Sequence, residues 1–338
     1  MAVRELKPRT ERAFELLGDF WLNGDPVIVS AMQGYVILLY FWDFSSSGSL
    51  HHIPYINEWS EKYAPFGMVT VGVHAPRFSF ASDPVMVEEA IKRTHLKVPV
   101  VVDNDSQIRG RYDVREWPTM VMIDRHGFIR GKFEGMTGVL GVERMLQMLL
   151  YDLNPGNDLP TLSEPANEID REGVFCFRQT PDIQAGYLRG SLGNIEGFQP
   201  ESVFEFQDPG FYLDGRLYLG GAWENGRECA ILRSDSGTAA FFYNGIDASG
   251  VLRCEPVKID VEVKQDGEYL SPEMKGEDVT IRGDGKSILH VSEPRLYRIV
   301  RNAEYGHHSL TLSASDRGLS LFVFSFGTAS VPELISGN

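Results

Sequence analysis

The feature that most constrains this chain is an unbroken apolar run at residues 35–42, YVILLYFW. It is far short of the ~18–20 residues that cross a bilayer, yet it has none of the polar alternation of a half-exposed strand. Such a run suits a central strand covered on both faces, and covering both faces requires helices nearby. The sequence supplies them. Ile53, Ile56, Trp59 and Tyr63 recur at spacings of three and four, a helical stripe within residues 50–63. Residues 68–75 (MVTVGVHA) predict a second buried strand. Residues 83–96 open on Asp83 as a cap with Pro84 at the first helical position. VPVVVD (98–103) and TMVMID (119–124) predict further strands. Arg125-His126-Gly127 predicts a turn into a paired strand, FIRGKFEG, and residues 142–150 a closing helix. Residues 1–152 therefore predict an α/β domain.

The pattern then changes. Residues 153–172 are rich in Asn, Asp, Pro, Gly and Ser and show no periodicity, which predicts a linker. Beyond it the helical spacings vanish. Short alternating segments (VFEFQ, RLYLGG, AAFFYNG, KIDVEVKQDG, SILHVS, RLYRIV, HSLTLSA, LSLFVFSFG) are separated by Gly, Asn, Asp and Pro. Residues 173–330 predict an all-β sandwich or jelly roll. A length of 338 residues accommodates both domains.

The formal net charge of −15, with no basic stripe, argues against a nucleic-acid partner. The N-terminal stretch MAVRELKPRTERAFELLGDFW is polar and charged, so neither a signal peptide nor a membrane span is expected. As written, the chain is expected to be soluble and cytoplasmic. Its three cysteines, Cys176, Cys229 and Cys254, have wide, irregular spacing that fits neither a zinc knuckle nor a disulfide framework. They read as small buried hydrophobes, with a Cys229–Cys254 bridge left open by the spacing.

The informative segment is YVILLYFWDFSSSGSLHHIP, a buried strand ending in Phe41-Trp42, then a turn and a helix. It resembles the thioredoxin superfamily, most closely TlpA-like redoxins of the DipZ type, in which a Phe-Trp and a short spacer precede Cys-x-x-Cys. Ser46-Ser47-Gly48-Ser49-Leu50 falls on that motif, with Pro54 in the following helix. The resemblance extends through Trp21-Leu22-Asn23, Gly34, Glu58-Trp59, Tyr63, Val71-Gly72-Val73-His74-Ala75-Pro76 and Asp103-Asn104-Asp105. Trp117-Pro118-Thr119 falls where the superfamily has its cis-proline. In the second half, Thr180-Pro181, Gly186-Tyr187, Arg189-Gly190, Leu219–Trp223, Asp266-Gly267, Pro294–Tyr297 and Phe324–Gly327 resemble the carbohydrate-binding-module-like domain of DipZ-type proteins.

The resemblance implies a thiol–disulfide oxidoreductase acting on protein or peptide thiols and disulfides without a cofactor. Ser46 stands at the nucleophile's position and Ser49 at the resolving one. Pro118 with Trp117 and Thr119 would hold a substrate strand, and Trp42 would shield the site from water. The β domain would add a carbohydrate or partner-protein surface. Relatives of this kind often work outside the cytoplasm.

The departure is decisive for chemistry. A Ser hydroxyl is not appreciably ionised at neutral pH and cannot form a mixed disulfide, so exchange at positions 46 and 49 is excluded as written. Either the cysteines were replaced deliberately, or the natural chain lost them and kept the fold. Tyr40 occupies the place of the buried carboxylate that thioredoxins often carry, and Asp43, just past Trp42, reads first as an exposed turn residue or cap and second as a surrogate for that carboxylate. A serine hydrolase would need a His in reach and a nucleophile elbow, and neither is apparent. The adjacent pairs His51-His52 and His307-His308 diverge in direction and have no carboxylate–His helix motif beside them, so they read first as solvated surface and second as metal ligands. Trp223, Tyr212, Tyr218 and Tyr243 read first as core aromatics and second as a sugar platform.

Overall fold

In the computed structural model, which describes residues 8, 10–18, 20–136, 138–255 and 258–332, the chain divides into two units, Met1–Gly173 and Val174–Asn338. The charged residues 1–7 lie outside the described residues.

The first unit contains β1 (Phe20–Leu22), β2 (Val36–Trp42), α1 (Ser47–Tyr63), β3 (Met68–His74), α2 (Pro84–Thr94), β4 (Val100–Val102), α3 (Gln107–Arg111), β5 (Thr119–Ile123), β6 (Ile129–Glu134) and α4 (Val139–Leu153). Its strands form one mixed sheet in the order β1-β4-β3-β2-β5-β6, with β2, β3 and β4 parallel. Every residue of β2 is buried, because side chains alternate between two covered faces. Val36, Leu38, Tyr40 and Trp42 join one core cluster with α1, α2 and α4. Ile37, Leu39 and Phe41 join the other with Ile108, Tyr112 and the lead-in residues Leu16 and Val29. The expected cap is present: the Asp83 carboxylate accepts from the Val85 N–H and Pro84 opens α2. At Asn23 the lead-in is tied down, its side-chain amide donating to Leu96 O and Val98 O at 2.9 Å each.

The stretch expected as a linker is fastened to the first unit. Glu143 of α4, fully buried, accepts from Ser163 N (2.8 Å), Ser163 Oγ (2.9 Å), Lys62 Nζ (2.8 Å) and Tyr63 Oη (2.6 Å). Burial alone would raise its carboxyl pKa, but these donors hold it below the ordinary value. Farther along, Tyr55 Oη accepts from Ala166 N (2.7 Å) and donates to Asp170 (2.7 Å). Composition predicts only a linker here; polar anchors on α1 and α4 hold it to the first unit.

The second unit is strand-rich: β7 (Ile183–Gln184), β8 (Val203–Phe206), β9 (Tyr218–Asn225), β10 (Ala230–Leu232), β11 (Gly237–Cys254), β12 (Ile259–Gln265), β13 (Glu268–Tyr269), β14 (Val279–Ile281), β15 (Ser287–Val291), β16 (Arg295–Ala314) and β17 (Leu319–Gly327). RLYRIV and HSLTLSA, expected as two strands, are one, β16, because both halves pair with β11 across a register shift between Gly245 and Asp247. The first half of β11 also pairs with β9 and its second half with β17, so the sheet curls over a single core.

Removing the carboxylate at Glu143 leaves Lys62 and the Ser163 N–H without their buried acceptor. Glu143→Ala is expected to lower the stability of the first unit by about 2–4 kcal/mol, read by urea denaturation with tryptophan fluorescence.

Candidate active site

The predicted site residues converge where β2 gives way to α1. The chain leaves Trp42, turns through Asp43-Phe44-Ser45 and enters the helix with Ser46 as its N-cap. Ser46 is extended (φ −98°, ψ 116°), and its Oγ accepts from the Ser49 N–H at 3.3 Å. Leu50 N donates to Ser46 O at 3.0 Å, closing the first helical turn. Ser49 Oγ accepts from Asp43 N at 3.3 Å, and the Tyr40 hydroxyl donates to Ser49 O. Both hydroxyl oxygens are thus engaged by backbone N–H groups, and both residues are buried.

Asp43 corrects the sequence expectation: it is a buried residue at the centre of the turn. Its carboxylate accepts from Ser45 N (2.6 Å), from Ser45 Oγ and from Arg77 N (2.8 Å). These bonds join the redox-type turn to the loop after β3. His74, the last residue of β3, lies with Nε2 3.8 Å from Asp43 Oδ2, and both side chains are fully buried. Phe44 stacks on the imidazole at 5.4 Å and Trp42 meets it edge-on at 5.2 Å. Neither ring nitrogen has a hydrogen-bond partner among the described residues. Burial lowers its pKa to about 4, with the Asp43 charge opposing that fall. The sequence places His74 in a buried strand; that its ring faces Asp43, Trp42 and Phe44 depends on segments brought together only by folding.

A second loop closes on this turn. The Trp117–Pro118 peptide is cis, and Pro118 is buried. A Cβ on Gly48 would lie 3.0 Å from Pro118 Cδ and 3.1 Å from Met136 Sδ, so the helix start and the proline loop touch where only glycine fits well. Trp117 is half-buried; its Nε1 donates to Ala75 O at 2.8 Å while the Arg109 guanidinium sits 4.4 Å above its ring. Thr119 pairs with Phe41 in the sheet and its hydroxyl donates to Glu116 O at 2.8 Å. Ser46, Ser49 and Pro118 therefore come together, whereas Trp42 and Thr119 are fully buried beneath them.

The histidines of α1 also depart from expectation. His52 is buried, without a hydrogen-bond partner for either nitrogen among the described residues. Burial lowers its pKa to about 4, with His51 adding to the fall and Asp170 opposing it. His51 is half-buried and Nε2 lies 3.0 Å from both Asp170 oxygens. Neither residue is solvated surface, because the segment ending at Asp170 covers this face of α1. In the second unit His307 and His308 contact Asp214 and Asp266 at 2.8 Å each. Trp223, Tyr218 and Tyr243 are core residues, and half-exposed Tyr212 donates to Asp208 at 2.8 Å. Cys229 and Cys254 are buried and unbridged, whereas Cys176 is exposed, contrary to expectation, in a segment ahead of β7 that pairs with Ser330. Among the described residues no helix is long and apolar enough to cross a membrane, and no group of three His, Cys, Asp or Glu side chains is gathered to hold a metal.

His52 and His74 generate a pH prediction. Above pH ~6.5 both are neutral folded and unfolded. As pH falls, the unfolded chain takes up protons first and stability is lost until the folded pKa near 4 is reached. Each contributes a loss on the order of 3 kcal/mol across that window. Denaturation midpoints measured from pH 7 to pH 4 are expected to fall, and His74→Phe should flatten part of the slope.

Comparison with known proteins agrees with this anatomy. The AhpC/TSA family model matches residues 12–132, and the model described as a thioredoxin-like C-terminal domain matches residues 180–327. DipZ of Mycobacterium tuberculosis is 24% identical over 311 residues, which cover 91% of this chain and 41% of DipZ. The chain thus spans about two fifths of that relative. The thiol-disulfide oxidoreductase YkuV of Bacillus subtilis is 26% identical over 139 residues, covering 41% of this chain and 93% of YkuV. The crystal structure of a thiol-disulfide isomerase from Corynebacterium glutamicum covers 42% of this chain and 97% of its own, at a TM-score of 0.39 and 20% identity. Similarity to DipZ runs through both units, and the first has the mixed sheet and strand–turn–helix site of a thioredoxin-like redoxin.

Proposed function

We propose that this chain is a form of a thiol–disulfide oxidoreductase that is redox-inactive as written and keeps the family's peptide groove. The observation that carries the reading is the bonding of Ser46 and Ser49. Ser46 Oγ caps the helix at 3.3 Å from Ser49 N, and Ser49 Oγ takes the Asp43 N–H at 3.3 Å. No hydrogen bond joins either serine to a histidine among the described residues, which leaves no general base to activate a hydroxyl. A thiol at position 46 would sit at the positive end of α1, where a thiolate is stabilised. Pro118, with Trp117 beside it, would present backbone groups to an extended segment of a protein or peptide substrate.

The test is Ser46→Cys/Ser49→Cys against the parent in insulin reduction by dithiothreitol. The parent is expected to show no catalysis. The double variant is expected to lose two titratable thiols on mild oxidation and to accelerate insulin precipitation. Catalysis by the parent, or a double variant that forms no internal disulfide, would overturn the reading.

A further inference from the structure

We propose that residues 163–172 form an acid-released strap across α1, with His52 beneath it as the group that senses pH. The device needs no thiol at positions 46 or 49, although α1 begins just after its N-cap Ser46 and so carries the candidate site.

Among residues 154–172 regular structure is limited to one turn of 3₁₀ helix at Glu168–Asp170. Side chains of two helices set the course of this segment. From α4, Gln147 Nε2 donates to Pro160 O at 2.7 Å, and Glu143 accepts from Ser163 N. From α1, Lys62 Nζ donates to Ser163 Oγ at 3.1 Å, and Tyr55 Oη accepts from Ala166 N and donates to Asp170. His51 Nε2 lies 3.0 Å from both Asp170 oxygens. Asn167 Nδ2 adds a bond to Asp170 at 3.3 Å, and Arg144 pairs with Glu172 at 2.6 Å. A segment held by side-chain bonds rather than by a backbone ladder can come away without unfolding the helices beneath it.

His52 lies between the two α1 residues that hold Asp170, one position after His51 and three before Tyr55. It is 1% exposed, its ring is 5.6 Å from that of His51, and neither nitrogen has a hydrogen-bond partner among the described residues. The neutral imidazole leaves one N–H donor unsatisfied there; the imidazolium would leave two, together with a buried charge. The closed strap therefore favours the neutral ring, and by linkage a proton on His52 favours the open strap.

The neighbouring charges fix the sign. Burial is the largest influence on His52, taking it to about 4; His51 adds to that fall and Asp170 opposes it. Burial works to raise the Asp170 and Glu143 carboxyls, but their hydrogen-bond donors hold both below the ordinary range, and Arg144 holds Glu172 low. All three stay charged between pH 8 and pH 5, and burial keeps the Tyr55 hydroxyl protonated. Protonation of His51 strengthens its contact with Asp170 and works against release. His52 is the group whose protonation opens the strap. Above pH ~6.5 its ring is neutral with the strap open or closed. As pH falls the open form takes up the proton first, and the gain stops once the closed form titrates near 4.

The experiment follows amide hydrogen exchange of the full chain by mass spectrometry at pH 7 and pH 5, corrected for the pH dependence of the chemical step. Exchange within residues 163–172 is expected to accelerate about tenfold at pH 5, with the β2 amides remaining slower than the strap at both values. In His52→Phe the acceleration is expected to vanish. No acceleration in the parent, an equal one in His52→Phe, or strap and β2 exchanging at one common rate would each overturn the proposal. The His52 ring is also followed by NMR titration in the parent and in Asp170→Asn, which removes the strap's last anchor. Beneath a strap that stayed closed, loss of the Asp170 charge would lower the His52 midpoint further. The midpoint is instead expected to rise from about 4 toward ~6.5. An unchanged or lowered midpoint would overturn the proposal, even if His52→Phe does not fold.

Discussion

The burial of β2 on both faces is the constraint from which the rest of the first unit follows. Seven consecutive apolar side chains alternate between two cores, so α1, α2 and α4 must cover one face and α3 with the lead-in must cover the other. The strand cannot slip by a residue without exchanging its two sets of contacts. Its end is therefore fixed, and with it the place where Asp43 begins the turn. The same register puts Phe41 opposite Thr119, which brings Pro118 to the start of α1.

At that junction the serines satisfy the physical demands of a helix start. An α-helix begins with unpaired N–H groups, and Ser46 meets one of them. A hydroxyl does this well and transfers no electrons. The loops around the turn are held by side chains aimed at backbone: Asp43 at Arg77, Trp117 at Ala75. Three segments distant in sequence are thereby fixed to one another by contacts that involve neither Ser46 nor Ser49.

Much of the fold was legible. The runs at 35–42 and 68–75, the Asp83-Pro84 start and the turn at Arg125–Gly127 each announce themselves through local patterns, because β2, β3, α2 and the β5–β6 hairpin are stabilised by the burial and capping those patterns encode. The candidate site was partly legible, since Ser46, Ser49 and Pro118 lie in recognisable surroundings. The docked segment was not, because Ser163, Ala166 and Asp170 are held by partners 20 to 119 positions away. Strand β16 was misdivided for a similar reason: its continuity depends on pairing with β11 rather than on its own residues.

The sequence by itself determined where apolar faces, caps and turns fall, and that no thiol stands at the redox-type turn, since these depend on residue identity and short-range spacing. Only the tertiary structure decided the environment of polar groups. Asp43 and His52 look like surface residues in the sequence and are buried in the fold. A charge or an imidazole reads the same in any chain; whether it meets water or the rings of Trp42 and Phe44 depends on segments that only folding brings together.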